Sequence, residues 1–447
     1  LAKLALAAFS TLLALGVAEA ALRIAGVSYP NFYRPDADRG WGLQPGAEGW
    51  WRNEGLAWVR INSTGQRDVE HAVAKPAGRL RIAVLGDSCA EALQVPVEQT
   101  FWKLLESQRP LTACPAAAGR VVETFDFGVA GYGTAQELLT LRRDVWRYQP
   151  DVVLLAFYPG NDVRNNARAL EQDPMRPYFT LAAGDAPDPR RSGGSGGPAQ
   201  SSGPGATGSS ASPAGSSPAG SSPTGGAGGD GGADSRLQLD SSFRATTGYR
   251  LRRSLPGRLA YAAYDHLRLL QVAKEGKGVL DGWIGAAKAR TKETGEALQE
   301  LGLDNAVYSP PADADWRQAW QVTEAMIAAM RDEAAAHHAR FGLLLLTTGM
   351  QVTPDAAARD RFQRQLGVAD LFYPGRRLAT FSRAAGIPVL DLAPPLQQLA
   401  ARNHLYLHGF ANTARGEGHW NARGHAAAAP LIADWLCREL IDTKATP

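Results

Sequence analysis

From residue 79 onward, short apolar runs alternate with longer stretches in which apolar residues recur at helical spacing. An apolar run of four to eight residues bounded by turn residues suits a strand buried on both faces, and its alternation with helical stretches suits a parallel sheet with crossover helices. Strands are predicted over 80–85, 121–127, 152–157, 342–346 and 387–392, and helices over 100–108, 134–148, 313–339, 354–367 and 421–440. The expected fold is α/β: a three-layer α/β/α sandwich of flavodoxin-like type around a five-stranded, mainly parallel sheet, spanning 79–440. Residues 29–78 follow another pattern. They carry Trp41, Trp50, Trp51 and Trp58 among Gly and Pro and alternate briefly in Ala57-Trp58-Val59-Arg60-Ile61, which predicts a short β-rich arm packed on the main domain.

The helical periodicity is interrupted by an insertion at 163–310. Within it, 190–235 is a Gly/Ser/Pro/Ala-rich tract, and from residue 192 it has no apolar side chain large enough to offset the entropy of ordering it, so it is read as disordered. A helix is predicted over 255–274, with Leu259, Tyr261, Tyr264, Leu267, Leu270 and Val272 supplying an apolar face. It is read either as a lid over a site or as a helix packed on the sheet or on a membrane.

At the N-terminus, Lys3 precedes an unbroken apolar or small-residue stretch, Leu4 to Ala18, followed by Ala18-Glu19-Ala20. Residues 1–26 are read as a signal anchor or a cleaved signal peptide, with Glu19 and Arg23 in the headgroup region in the first case. Either places the rest of the chain outside the cytoplasm. The charge balance, 47 Lys and Arg against 44 Asp and Glu, is +3 with no long basic run, which gives no reason to expect nucleic acid. The three cysteines make no disulfide framework and no Cys-x-x-Cys; if one pair forms, Cys114 with Cys437 is expected, since Cys89 adjoins Ser88 in what reads as a buried turn.

Candidate chemistry gathers just past the predicted strand ends, where ligands bind in such sheets. Gly86-Asp87-Ser88 follows the first strand and places a hydroxyl at a strand-to-helix turn, near the positive end of a helix. Phe127-Gly128-Val129-Ala130-Gly131-Tyr132-Gly133 follows the second, and Gly131 can bring a backbone amide close to a developing oxyanion. Tyr158-Pro159-Gly160-Asn161-Asp162 follows the third, offering the Asn161 side-chain amide while Asp162 orders the loop. His419, after Gly416-Glu417-Gly418, is a candidate base. A nucleophile, oxyanion donors and a base are what acyl transfer needs.

With Asn62-Ser63-x-Gly65, Arg67, Gly133-Thr134-Ala135-Gln136-Glu137 and Gly160-Asn161-Asp162-Val163, these motifs resemble the SGNH hydrolase superfamily, the GDSL esterases and lipases, and in particular its envelope-anchored bacterial branch. The resemblance implies that Ser88 is the nucleophile, that Ser88 N–H, Gly131 N–H and the Asn161 side chain form an oxyanion hole supported by Asp87 and Asp162, and that His419 is the general base. The family's aspartate three residues before the histidine is Gly416 here. Glu417 is one candidate to orient the ring and a backbone carbonyl is another, with Asp391 at the end of the fifth strand read as structural.

The implied function is an extracytoplasmic serine esterase acting on an acylated glycan or lipid, with O-acyl transfer by the same residues or a catalytically silent glycan-binding or scaffold protein as alternatives. No cofactor or metal is expected. Gly131-x-Gly133 lacks the third glycine of a dinucleotide fingerprint, Gly193-Gly194-Ser195-Gly196-Gly197 has no strand before it, and His404 and His408 have no third ligand at readable spacing. His425 is read as packing or capping the final helix.

Overall fold

The computed structural model describes residues 1–182, 236–277 and 304–441; the expected disordered tract at 190–235 lies outside them. The chain opens with α1 (Ala2–Ile24), then two hairpins, β1 (Tyr33–Asp36) with β2 (Gly40–Leu43) and β3 (Glu48–Trp51) with β4 (Ala57–Arg60). There follow β5 (Arg79–Gly86), α2 (Ser88–Glu91), α3 (Phe101–Leu104), α4 (Arg109–Thr112), β6 (Val121–Asp126), α5 (Thr134–Thr140), β7 (Val152–Phe157) and α6 (Asp162–Asn165). The insertion contributes β8 (Tyr178–Leu181), β9 (Leu237–Asp240), α7 (Thr247–Arg253), α8 (Leu255–His266) and α9, described over 268–277. The chain ends with α10 (Ala314–Ala336), β10 (Arg340–Leu345), α11 (Gly349–Val352), α12 (Ala356–Leu366), α13 (Tyr373–Ala384), β11 (Val389–Asp391), α14 (Ala393–Asn403) and α15 (Ala422–Trp435).

The central sheet is five-stranded and parallel throughout, in the order β11-β10-β7-β5-β6. β7 is buried at every residue and β5 at all but its first, as strands covered on both faces must be. α5 and α10 pack together on one face, and α15 packs with α3 and α4 on the other. α10 follows from its sequence: Asp313 caps it by accepting the Trp316 N–H at 2.8 Å, and Trp316, Ala319, Trp320, Thr323, Met326, Ile327 and Met330 recur at helical spacing as its buried stripe.

The largest departures from expectation are in the helices. The stretch 134–148 is a true α-helix only to Thr140 and continues as a π turn and a 3-10 turn, while α13 and α14 fill the long interval before and after β11. The predicted helix at 255–274 breaks at Leu267 into α8 and α9. α8 packs on the N-terminal arm, with the Tyr264 hydroxyl donating to Tyr29 O at 3.1 Å and Gln44 donating to Asp265 at 3.0 Å. The insertion leaves and re-enters the domain through the antiparallel pair β8–β9.

Cys114 and Cys437 are joined in a disulfide, and Cys89 is a buried free thiol. The bridge fastens the π-helical turn Leu436–Ile441, which extends α15, to the loop after α4. It spans 323 residues of sequence, so it restricts the unfolded chain strongly. Replacing both cysteines by serine is expected to lower unfolding free energy by about 2–4 kcal/mol in denaturant titration, and the same loss should follow reduction of the wild type.

Candidate active site

The strand-to-helix turn after β5 is built by close approach. A side chain on Gly86 would run into Ala90 Cβ at 2.8 Å and Ala156 O at 3.0 Å, so only glycine lets α2 fold back over the sheet end. Asp87 caps α2 by accepting the Cys89 N–H at 2.8 Å and also takes a hydrogen bond from Asn161 Nδ2 at 3.2 Å. β5 and β7 are neighbours, with Gly86 opposite Ala156, so the turns carrying Ser88 and Asn161 sit side by side. Asp162 closes the second turn by accepting the Tyr158 N–H at 2.7 Å. Burial pushes the Asp87 carboxyl up, and burial together with the charges of Glu137 and Asp87 pushes Asp162 well up.

Ser88 Oγ lies 2.8 Å from His419 Nε2. The other ring nitrogen, Nδ1, lies 2.5 Å from an oxygen of Glu54, whose second oxygen accepts the His419 backbone N–H at 2.8 Å. The orienting carboxylate is therefore Glu54, from the arm, and not Glu417. Glu417 is exposed on the turn between Gly416 and Gly418, and Gly418 gives way to Glu54: at φ +74°, any side chain there would collide with the Glu54 carboxylate. Asp391 is structural, accepting the Ala393 N–H at 3.0 Å at the start of α14.

The arm loop that presents Glu54 is tied to the far end of the chain. Asn412 accepts the Gly55 N–H at 2.9 Å and donates to the carbonyls of Arg52 and Gly55. From beneath, His408 braces the His419 turn through Gly418 O at 2.7 Å and Thr347 Oγ1 at 3.0 Å. Burial pulls its imidazole down to about 4, so it is a neutral core residue. His404 ends α14 and shares no helix face with it. His425, within α15, accepts the Phe101 N–H at 3.1 Å.

The electrostatics suit a base. Burial works to raise the Glu54 carboxyl, but the hydrogen bonds and charge of His419 outweigh it and hold the group below the ordinary carboxylate value. Burial alone would depress the His419 imidazole, but the Glu54 hydrogen bond and the charges of Glu54, Asp87 and Glu91 leave it raised. A carboxylate at Nδ1 fixes the tautomer with its proton there and leaves the Nε2 lone pair for Ser88.

Gly131 sits at φ +76° in the loop after β6. The peptide joining Ala130 to Gly131 is held by Trp41, whose indole N–H donates to Ala130 O at 3.0 Å. A trans peptide points its N–H opposite its C=O, so this bond also sets the direction of the Gly131 N–H. Arg176 fixes the next carbonyl, Gly131 O, at 2.7 Å. Neither Trp41 nor Glu54 stood out in the sequence as a site residue; the tryptophan-rich composition of the arm was the one signal present.

No family model matches this chain, and neither does any curated protein. Among solved structures it is similar to an acetyl xylan esterase, AlAXEase, at 10% identity and a TM-score of 0.34, over 80% of this chain and 98% of that one. It is also similar to Axe2, an acetylxylan esterase from Geobacillus stearothermophilus, at 10% identity and a TM-score of 0.33, over 82% of this chain and 97% of that one. Similarity this low carries no conclusion about chemistry, which rests on the geometry above.

Variants assayed on an activated ester should separate these roles. Glu54→Gln should lower kcat by roughly 10²- to 10⁴-fold, while Glu417→Gln leaves it unchanged. A base works deprotonated, so activity falls as pH drops through the His419 pKa. Glu54 holds that pKa up, so Glu54→Gln should also move the acid limb of the kcat/KM profile to lower pH. Trp41→Phe should lower kcat by roughly ten-fold, less than loss of an oxyanion donor itself, with a loss of about 1 kcal/mol in unfolding free energy from the freed Ala130 carbonyl.

Proposed function

We propose that this chain is a serine esterase of the SGNH type, membrane-anchored outside the cytoplasm, that removes a small acyl group such as acetyl from an envelope glycan. The observation that carries the reading is the continuous line Ser88 Oγ, His419 Nε2, His419 Nδ1, Glu54. The Gly416 that stands where the family's aspartate belongs would favour a silent protein only if the ring lacked a carboxylate partner, and Glu54 is that partner.

Ser88 Oγ attacks the ester carbonyl while its proton passes to His419 Nε2, and the imidazolium is stabilised by Glu54. The negative oxygen of the tetrahedral intermediate takes hydrogen bonds from Ser88 N–H, Gly131 N–H and the second amide proton of Asn161, whose first is committed to Asp87. The carbon–oxygen bond to the alcohol breaks and His419 returns its proton to the leaving oxygen. Water, deprotonated by the same nitrogen, then attacks the acyl-serine and releases the carboxylic acid, restoring the Ser88 hydroxyl.

A cleft of about 640 Å³ between the arm and the insertion supports a glycan as the alcohol portion. Tyr33, Trp41, Tyr261 and Tyr264 line it with Arg34 and Lys274; Ser88, Asn161 and His419 do not, and it meets the site through the Trp41 bond to Ala130 O. The location is supported by α1, which is 23 residues long, wholly unburied and apolar enough to cross a membrane, and by the Cys114–Cys437 disulfide, which suits an oxidising compartment.

The test is hydrolysis of an aryl acetate together with covalent labelling by a fluorophosphonate. Wild type should turn over and be labelled at Ser88, and Ser88→Ala and His419→Ala should fall to background. An unlabelled, inactive wild type would remove the esterase reading.

A further inference from the structure

Leu251, Leu255 and Leu259 are exposed by 61–68% and follow one another at four-residue steps across α7 and α8. At 100° per residue Leu255 and Leu259 lie on the face of α8 turned away from Tyr261, Tyr264 and Asp265, which hold the helix against the arm and the cleft, while Leu251 sits on α7, across the extended Ser254. Leu267 and Leu270 extend the apolar surface across the break into α9. Over residues 250–268 the chain carries Arg250, Arg252, Arg253, Arg258 and Arg268 against Asp265 alone; the first four are exposed, with Arg252, Arg253 and Arg258 also lining the clefts toward the arm, and Arg268 is bonded to Ser28 and Gln271. A soluble monomer seldom leaves leucines so open, and leucine with arginine is the composition of a helix lying in a lipid headgroup layer.

What covers this surface follows from its continuity with α1. Glu19, the acid that interrupts the apolar run of α1, caps α9: its two oxygens accept the N–H groups of Arg268 and Leu269, each at 3.0 Å. Arg23 pairs with Glu19 at 2.8 Å and also donates to His266 O. Just beyond α1, Tyr29 N–H donates to the buried Gln271 side chain at 2.9 Å, and Arg268 donates to Ser28. The last turn of α1 and the junction of α8 with α9 are thus one built unit at one level. If α1 crosses a bilayer, the Glu19–Arg23 pair stands at the headgroups, and the leucines beside it stand there too.

We propose that α7, α8 and the start of α9 form a second membrane contact, lying in the headgroup layer of an anionic bilayer beside α1. The inference rests on the reading of α1 as an anchor. It places the aromatic cleft, on the other side of α8, close to the membrane surface.

The test uses the full chain in lipid nanodiscs, with the environment-sensitive fluorophore NBD attached at Leu255→Cys, Leu259→Cys, Leu12→Cys in α1, or exposed Arg361→Cys in α12 as an aqueous reference. The wild type, whose free thiol Cys89 is buried, sets the labelling background. In discs containing phosphatidylglycerol, labels at 255 and 259 should be blue-shifted and quenched by roughly half by shallow-doxyl lipid, at the depth interfacial helices reach. The label at 361 should remain aqueous. Adding Arg250→Glu and Arg258→Glu should reduce quenching at 255 to the level found in phosphatidylcholine discs.

Quenching at 12 with none at 255 and 259 would overturn the second contact while leaving the anchor. No quenching at 12 by a deep-doxyl lipid would overturn the anchor and the inference with it. A blue shift at 255 without doxyl quenching would mean that protein, not lipid, covers the face, and would also overturn it.

Discussion

The site depends on a single carboxylate. Glu54 receives both the ring nitrogen and the backbone N–H of His419, which fixes the position of the residue and the orientation of its imidazole at once. Because Glu54 belongs to the loop between β3 and β4 and His419 lies 365 residues later, the arm is part of the candidate site and not a decoration of the sheet. The desolvation of that carboxylate is offset by the charge-assisted bonds it makes, and breaking them would strand a buried charge. A mobile arm would therefore leave Ser88 beside an unoriented base.

The rest of the architecture divides the positioning between elements of different rigidity. Ser88 and Asn161 are set by the parallel register of β5 and β7, two almost wholly buried strands, with Asp87 bridging the two turns. His419 lies on a loop outside the sheet and needs bracing from several directions: Glu54 from the arm, His408 and Thr347 from beneath, and the Asn421 cap that begins α15. A histidine whose own pKa is pulled down to about 4 makes a suitable brace, since it stays neutral over the pH range in which His419 titrates.

This division explains what could be read from the chain. Ser88, Gly131, Asn161 and His419 were legible because each has a local signal, a glycine-marked turn after an apolar strand or before a helix. The five strands were legible for the same reason, being continuous apolar runs. Glu54 has no such signal: its partner is distant in sequence, and one glutamate in a tryptophan-rich arm looks like any surface acid. The glycine-flanked Glu417 drew attention by proximity, yet Gly418 is there to admit Glu54. The break at Leu267 was hidden because the apolar residues run on through it at helical spacing, and what marks it is a tertiary contact, the Glu19 cap on α9.

The arm reaches the oxyanion loop by a second route, independent of Glu54. Glu91, at the end of α2, is fully buried, and burial pushes its carboxyl up to about 8 against the hydrogen bonds of Tyr33 and the Ala130 N–H and the charge of Arg67. Arg67, itself buried and pulled down to about 10, donates to Glu91 O at 3.1 Å and to Val95 O, clamping the exit of the same helix. The Ala130 residue is thus gripped at its N–H by Glu91 and at its carbonyl by Trp41, so the peptide that carries the Gly131 N–H has little freedom to rotate. An oxyanion donor is useful in proportion to how little it must reorganise when charge develops. Tyr33, Trp41, Glu54 and Arg67 therefore act on one requirement, a site held rigid before substrate arrives. That makes the arm the element through which α1 and the Ser88–His419–Glu54 cluster are mechanically joined.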